Sequence, residues 1–259
     1  MEQYQFAKNY QSPASLTAVS FPSPRFYSRM VGIFWRAAKV AKNGAYTGDR
    51  WAYDSNLVGK LVEDMGTRII VEGVENLNFD GPCVFEANHM STLETLFLPC
   101  VIQPLKDVTF VVKRSLLSYP CLGPVLAARD PIALGRANPR EDLMLVMDEG
   151  KKILESGRSI IIFTQGTRKT RVEEADFNSL GVKLARKAGV PVVPNALKTD
   201  MWGEGRLIKD IGPINPALPL HVRFGAPVSI KGPGKEEHKA IVDFIKNAFN
   251  EWVDSDGQA

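Results

Sequence analysis

The feature that most constrains this chain is a regular alternation of short apolar runs with longer amphipathic ones, from about Thr67 to the C-terminal end. TRIIVEG, CVFEANH, DVTFVVKR, RSIIIFTQG, VPVVPNAL and LHVRFGAPVSI are rich in β-branched and apolar residues and read as strands. Between them lie STLETLFLPCVI, NPREDLMLVMDEGKKILESG and NSLGVKLARKAG, with KEEHKAIVDFIKNAFNEWV at the end, and these carry the helical period. Gly157 and Gly189 stop two of the helices, as glycine does just past a helix C-terminus. The pattern predicts an α/β fold with a mixed, largely parallel sheet flanked by helices. In such folds the chemistry gathers on loops at the ends of the strands.

Composition narrows the function classes. The chain has 259 residues, 44% hydrophobic and 24% charged. That is enough for a large buried core, and it fits neither disorder nor a fibrous repeat. A net charge of +3 is too small to suggest a nucleic-acid protein. The three cysteines, Cys83, Cys100 and Cys121, have no CxxC spacing, and His89, His221 and His238 stand at no ligand spacing from one another. The expectations are no disulfide framework, no metal site and a reducing cytoplasm. The start, MEQYQFAKNYQSPASLTAVSF, has neither the basic opening nor the apolar stretch of a signal peptide. No window approaches the roughly 20 apolar residues needed to cross a bilayer. Contact with a membrane would therefore be made from its surface.

Three regions are expected: a polar, mobile segment 1–22, a helical hairpin 23–66 and an α/β domain 67–259. Ser23 reads as the cap of the first helix, with Pro24 at its first position. From Phe21 to Arg50 there are six basic residues against one acidic, Asp49. Wound at about 100° per residue, Arg25, Arg29, Arg36 and Lys39 cluster in one sector. Phe26, Met30, Ile33 and Phe34 fall on a broad opposing face, and Trp35 lies near the boundary. Two readings fit: a surface helix with solvated charges, or a helix in the interface of an anionic membrane. The second makes 23–66 a two-helix membrane-docking element, with Arg25, Arg29, Phe34, Trp35, Arg36 and Lys39 as docking residues and a second helix near 56–65.

The densest chemistry lies in Asn88-His89-Met90-Ser91-Thr92-Leu93-Glu94. His89 follows a strand and precedes a helix, which puts its ring at a sheet end. A neutral imidazole there can take a proton from a hydroxyl, and a carboxylate on its far nitrogen fixes the tautomer. Five positions along one ideal helix stand about 140° apart, so the pair meets only with His89 on the loop and Glu94 in the first turn. Ser91 to Glu94 also matches the capping box, in which the Glu side chain returns to the backbone N–H of the cap. Both readings of Glu94 stay open on spacing alone.

NHMSTLE resembles the block of the 1-acylglycerol-3-phosphate acyltransferase family and its glycerolipid relatives in which an Asp follows five positions after a His. Further blocks agree in order. TFVVKRSLLSYPCLGPVLAARDPIALGR is similar to the second block, closing at Arg136, and IIIFTQGTRKT to the Phe-Pro-Glu-Gly-Thr-Arg block. AGVPVVPNAL resembles the Val-Pro-x-Val-Pro block, and VRFGAPVSI a Phe-Gly-x-Pro strand. Together they cover about 66–230. The resemblance implies that His89 is the general base and Glu94 its partner, with no covalent acyl-enzyme. It also implies that Arg168 binds the acceptor's phosphate, that Arg136 helps at the same pocket, and that Gly166 and Thr167 shape the turn. Glu94 stands where Asp is usual, which predicts a shifted helix start or a looser pair. Thr164 and Gln165 replace Pro and Glu, which bears on acceptor identity, and Gly135 replaces an Asp often found before the Arg.

The function so implied is transfer of a fatty acyl group from an acyl thioester donor, acyl-CoA or acyl-carrier protein, to the hydroxyl of lysophosphatidic acid or a related lysophospholipid. The expected setting is peripheral, on the cytoplasmic side of an anionic membrane surface, with no cofactor and no nucleic acid. The departures at Glu94 and Gln165 keep a rival open, an inactive lipid-binding protein on the same fold. A thioesterase that uses water as acceptor is another. Leu96, Phe97 and Leu98 are candidates for an acyl tunnel. The segment Thr199 to Gly212 reads as a loop in which Trp202 and Arg206 are candidates for headgroup contact.

Overall fold

The computed structural model describes residues 5–14, 16–206 and 208–257. In chain order the elements begin β1 (Tyr10–Gln11), α1 (Pro22–Lys42), α2 (Gly48–Asp64), β2 (Ile69–Glu72), β3 (Val84–Ala87) and α3 (Leu93–Ile102). They continue β4 (Val108–Lys113), α4 (Leu122–Ala127), β5 (Ile132–Leu134), α5 (Pro139–Glu155) and β6 (Ser159–Phe163). The last are α6 (Leu180–Ala188), β7 (Val192–Lys198), β8 (Leu220–Phe224) and α7 (Lys235–Asp256).

The strands form one eight-stranded sheet in the order β1-β2-β8-β7-β3-β6-β4-β5. From β7 to β5 all neighbours run parallel, β8 is antiparallel to β7, and β1 is antiparallel to β2. This is the mixed, largely parallel sheet expected. The central strands are apolar throughout because both faces are covered. In β6, Ile160 and Ile162 belong to the core under α5, α6 and α7, and Ile161 to the core under α1, α2 and α3. Ala87 lies beside Phe163 on one side and Asn195 on the other, so the loops leaving β3, β6 and β7 open onto the same edge.

The N-terminal region differs from the expectation in several respects. The mobile segment 1–22 is, in its described residues, part of the body; residues 1–4 and 15 lie outside them. Phe6 is fully buried, edge-on to Phe97 at 5.1 Å, and β1 extends the sheet beside β2. Its apolar anchor is a single Phe in polar surroundings, too little for a periodic signal. Helix α1 starts at Pro22, so Ser23 lies inside its first turn and does not cap it; Ser23 Oγ instead accepts Ile214 N–H at 2.9 Å. Helix α2 begins at Gly48, well before 56, and Thr47 Oγ1 caps it by accepting Arg50 N–H at 3.2 Å. It packs most heavily on α3, so the hairpin shares the main core.

Among the docking residues, Arg25, Trp35, Arg36 and Lys39 are exposed, and Val31 and Phe21 join them. Phe34 is not on that face: it turns inward and lines a recess between α1 and α4. Arg29 is exposed but paired with Asp64 at 2.5 Å. No helix among the described residues is long and apolar enough to cross a membrane.

Candidate active site

Three loops at the carboxyl edge of the sheet build the site. Asn88 carries strand β3 one step further with its side chain: Nδ2 donates to Leu197 O and Oδ1 accepts Leu197 N–H, both at 2.8 Å. His89 is therefore held to β7 as it leaves the sheet. The loop after β6 grips the same residue on both backbone groups. His89 N–H donates to Gln165 Oε1 at 2.8 Å, and Lys169 N–H donates to His89 O at 2.8 Å. The imidazole stacks on Phe163, with centroids 4.5 Å apart and planes 18° from parallel.

Glu94 is fully buried, and its two oxygens have separate partners. Oε2 lies 2.5 Å from His89 Nδ1. Oε1 accepts Met90 N–H at 2.7 Å, Ser91 N–H at 2.9 Å and the Thr199 hydroxyl at 2.6 Å. The two readings that spacing left open are thus both realised, one on each oxygen. The extra methylene of Glu does not loosen the pair, because His89 is on the loop and Glu94 sits in the first turn of α3. Ser91 Oγ in turn donates to Thr199 Oγ1 at 2.9 Å. With Nδ1 engaged, Nε2 is the nitrogen left to meet a hydroxyl.

Gln165 is buried on the far side of the same loop, where its Nε2 donates to Arg171 O at 3.3 Å. Its neutral amide satisfies one N–H and one C=O at once, which a carboxylate cannot do. Gln165 thus holds the backbone of His89. Gly135 lacks the side chain of the usual Asp, and Asp142 of α5 supplies a carboxylate instead. Asp142 accepts Gly135 N–H at 3.0 Å and Arg136 N–H at 2.8 Å. Those bonds hold Arg136 at a φ of 59°, an αL conformation costing about 1–2 kcal/mol in a residue with a Cβ.

Arg136 and Arg168 are brought to one loop. Arg136 Nη1 donates to Gly166 O at 3.0 Å, bracing the turn that carries Gly166, Thr167 and Arg168. Gly166 and Thr167 are exposed, and a Cβ on Gly166 would meet nothing within 4 Å, so the chain's own packing does not demand glycine there. Arg168 Nη1 donates to Thr92 Oγ1 at 3.0 Å, which sets its guanidinium beside the start of α3. It does not pair with the Glu173-Glu174 run; its acidic partner is Asp210, at 2.6 Å.

The loop after β7 was the least legible part. Trp202 is buried, edge-on to Phe26 at 5.0 Å, so it makes no headgroup contact; Arg206 is exposed. Thr199, Asp210 and Tyr119 all reach the site, and no sequence pattern marks them. Of the apolar candidates, Leu96 lines the recess with Phe34, Trp51 and Leu122, while Phe97 and Leu98 are buried in the core.

Known proteins resemble this chain in sequence and fold. A family model described as Acyltransferase matches residues 68–198. A 1-acyl-sn-glycerol-3-phosphate acyltransferase of Pseudomonas aeruginosa is 39% identical over 131 residues, which are 51% of this chain and 49% of that protein. A chloroplastic 1-acyl-sn-glycerol-3-phosphate acyltransferase of Brassica napus is 30% identical over 139 residues, 53% of this chain and 38% of its own length. The chain thus spans half or less of the length of these curated relatives. The crystal structure of the 1-acyl-sn-glycerophosphate (LPA) acyltransferase from Thermotoga maritima has the same fold, with a TM-score of 0.67 over 89% of this chain and 94% of that one, at 21% identity.

Proposed function

We infer that this chain, which belongs to the acyltransferase family, moves a fatty acyl group from a thioester donor to the free hydroxyl of lysophosphatidic acid or a related lysophospholipid. The observation that carries the reading is the buried Glu94 carboxylate 2.5 Å from His89 Nδ1, at a strand end beside Arg168. His89 Nε2 takes the proton of the acceptor hydroxyl as its oxygen attacks the thioester carbonyl. Glu94 keeps Nδ1 protonated and stabilises the imidazolium that forms. The tetrahedral intermediate then expels the thiolate, which receives the proton from Nε2. Arg168 reads the acceptor's phosphate, and Arg136 acts by bracing the Gly166 turn.

The donor is acyl-CoA or acyl-carrier protein, and the recess beside Leu96 supplies apolar walls for a chain. Docking on the cytoplasmic side of an anionic membrane belongs to this reading, and the outer face of α1 suits contact with a membrane surface. There Phe21 and Trp35 are 78% and 63% exposed, next to the exposed Arg25, Arg36 and Lys39.

The test is thiol release from palmitoyl-CoA with lysophosphatidic acid, with and without anionic liposomes. Acceptor-dependent release is expected, lowered roughly 10²–10⁴-fold in His89→Ala. Release at the same rate without acceptor would make the protein a thioesterase. No release from CoA or carrier-protein donors with any lysolipid, despite liposome binding, would leave the lipid-binding reading.

A further inference from the structure

One side chain of this protein sits where a substrate group belongs. Asp210, in the long connection between β7 and β8, presents its carboxylate to donors from three separate elements. Arg168 Nη2 donates at 2.6 Å, Thr92 Oγ1 at 3.2 Å and the Tyr119 hydroxyl at 3.0 Å. Thr92 accepts from Arg168 while both donate to Asp210 Oδ1, and the Tyr119 hydroxyl donates to Oδ2. A guanidinium, a hydroxyl and a phenol converging on one point make an anion-recognition set, stronger than a surface ion pair. They come from the loop after β6, the start of α3 and the turn before α4, all on the carboxyl edge that carries His89. The Asp210 carboxylate also pushes the Tyr119 phenol above its ordinary pKa, the mark of a hydrogen bond donated to an anion.

The connection is built to present that carboxylate and to let it go. Its neck is fastened: Trp202 is buried against Phe26 and Tyr27, the Tyr27 hydroxyl donates to Gly212 O at 2.7 Å, and Gly203 N–H donates to Pro213 O at 2.9 Å. A Cβ on Gly212 would collide with the Gly203 carbonyl, so the two strands of the neck touch backbone to backbone. The tip is open to water, with Glu204, Arg206, Ile208, Lys209 and Ile211 all exposed. Fixed ends and an exposed tip are the features of a segment that opens locally at low cost.

We propose that Thr92, Tyr119 and Arg168 together form the cradle for the phosphate monoester of the acceptor, and that Asp210 is its resident anion, displaced when the phosphate arrives. The proposal rests on the acyl-acceptor reading of Arg168 given above. A phosphate monoester carries about −1.5 to −2 charges at neutral pH, so it outcompetes a carboxylate for the same donors and repels it once bound. A headgroup without that charge has no such advantage, and Asp210 then acts as a filter for phosphate monoesters.

The experiment uses the full chain as wild type, as Asp210→Asn, and as Asp210→Asn combined with Thr92→Val and Tyr119→Phe. Each is titrated calorimetrically with sn-glycerol 3-phosphate and with inorganic phosphate, and assayed for acyl transfer to lysophosphatidic acid. Loss of the competing carboxylate is expected to tighten glycerol 3-phosphate binding about tenfold and to lower KM with kcat little changed, and the triple variant to lose the gain. Unchanged affinity in Asp210→Asn, or a gain that survives removal of Thr92 and Tyr119 donors, would overturn the proposal. Equal gains for both ligands with no change in KM would make this a site for free phosphate and overturn the headgroup assignment. Should Asp210→Asn melt far below wild type, Asp210→Ser is put to the same titrations and judged by the same outcomes. Tighter phosphate binding in a protein that transfers no acyl group would keep the cradle and sink the proposed function. Acyl transfer with flat binding would sink the cradle alone.

Discussion

Replacing Glu94 by Gln separates its two duties. The amide retains one oxygen, which takes the place of Oε1 and keeps the bonds from Met90, Ser91 and Thr199. The opposite rotamer would aim an NH₂ at three donors, so the amide is fixed in the first orientation. Its nitrogen then points at His89 Nδ1 from 2.5 Å, and an amide nitrogen can only donate. Nδ1 must accept, and the proton of the neutral ring moves to Nε2, where it blocks the base. The imidazolium also loses its counter-charge. The same inversion in the Ser-His-Asp triad costs about 10⁴ in kcat, so a loss of roughly 10³–10⁴ is expected, or about 4–5.5 kcal/mol of barrier. Stability falls far less, by about 1–2 kcal/mol, because the bonds to Oε1 persist without their charge. Acceptor-dependent thiol release measures the first, thermal melting the second, and nitrogen-15 shifts of the ring report the tautomer. A folded Glu94→Gln protein retaining more than about a tenth of wild-type turnover, with the proton still on Nδ1, would refute the reasoning.

Gln165→Leu leaves a buried N–H of His89 and the C=O of Arg171 without partners; a destabilisation of about 2–3 kcal/mol is expected by denaturant titration, with slower turnover as His89 drifts. Glu86, fully buried on β3, has its carboxyl pKa raised by burial, and the nearby His238, 3.6 Å away on α7, is raised by that carboxylate. A raised histidine contributes stability below its unfolded pKa and loses it as pH rises through the folded value. His238→Ala is therefore expected to cost most near the histidine's ordinary range and least where Glu86 is itself protonated. The cost should disappear in a Glu86→Gln background, which a double-mutant cycle across pH checks. Gly59→Ala puts a methyl into the rings of Phe6 and Phe97; overpacking of about 1–3 kcal/mol exceeds the gain of about 1 kcal/mol in helix propensity, so the melting point should fall.

How legible each part was depended on whether its cause is local. The apolar runs announced the central strands because burial on both faces leaves no alternative pattern. The start of helix α2 is hard to read because polar residues stand on its buried face: Asp54, Ser55 and Asn56 are inside along with Trp51 and Val58. His89 and Glu94 were legible because a loop and one helical turn bring them together. Thr199 and Asp210 were not, since their partners lie 42 to 118 residues away and only the closed sheet sets them side by side.

The order of the sheet also sets a timetable. β2 emerges early in synthesis, yet its partner β8 comes last among the strands, and Glu72 meets Arg223 across 151 residues of chain. At about 5–20 residues per second a ribosome takes roughly 10–30 s to close that gap. For that interval the faces of α1 and α2 destined for Val71, Val222 and Phe224 have no finished layer to cover them. Such long-range pairing is slow to form and leaves apolar surface exposed to other partners meanwhile. A chain stopped before Leu220 would retain the parallel strands around His89 but lack the strand that joins them to β2 and β1.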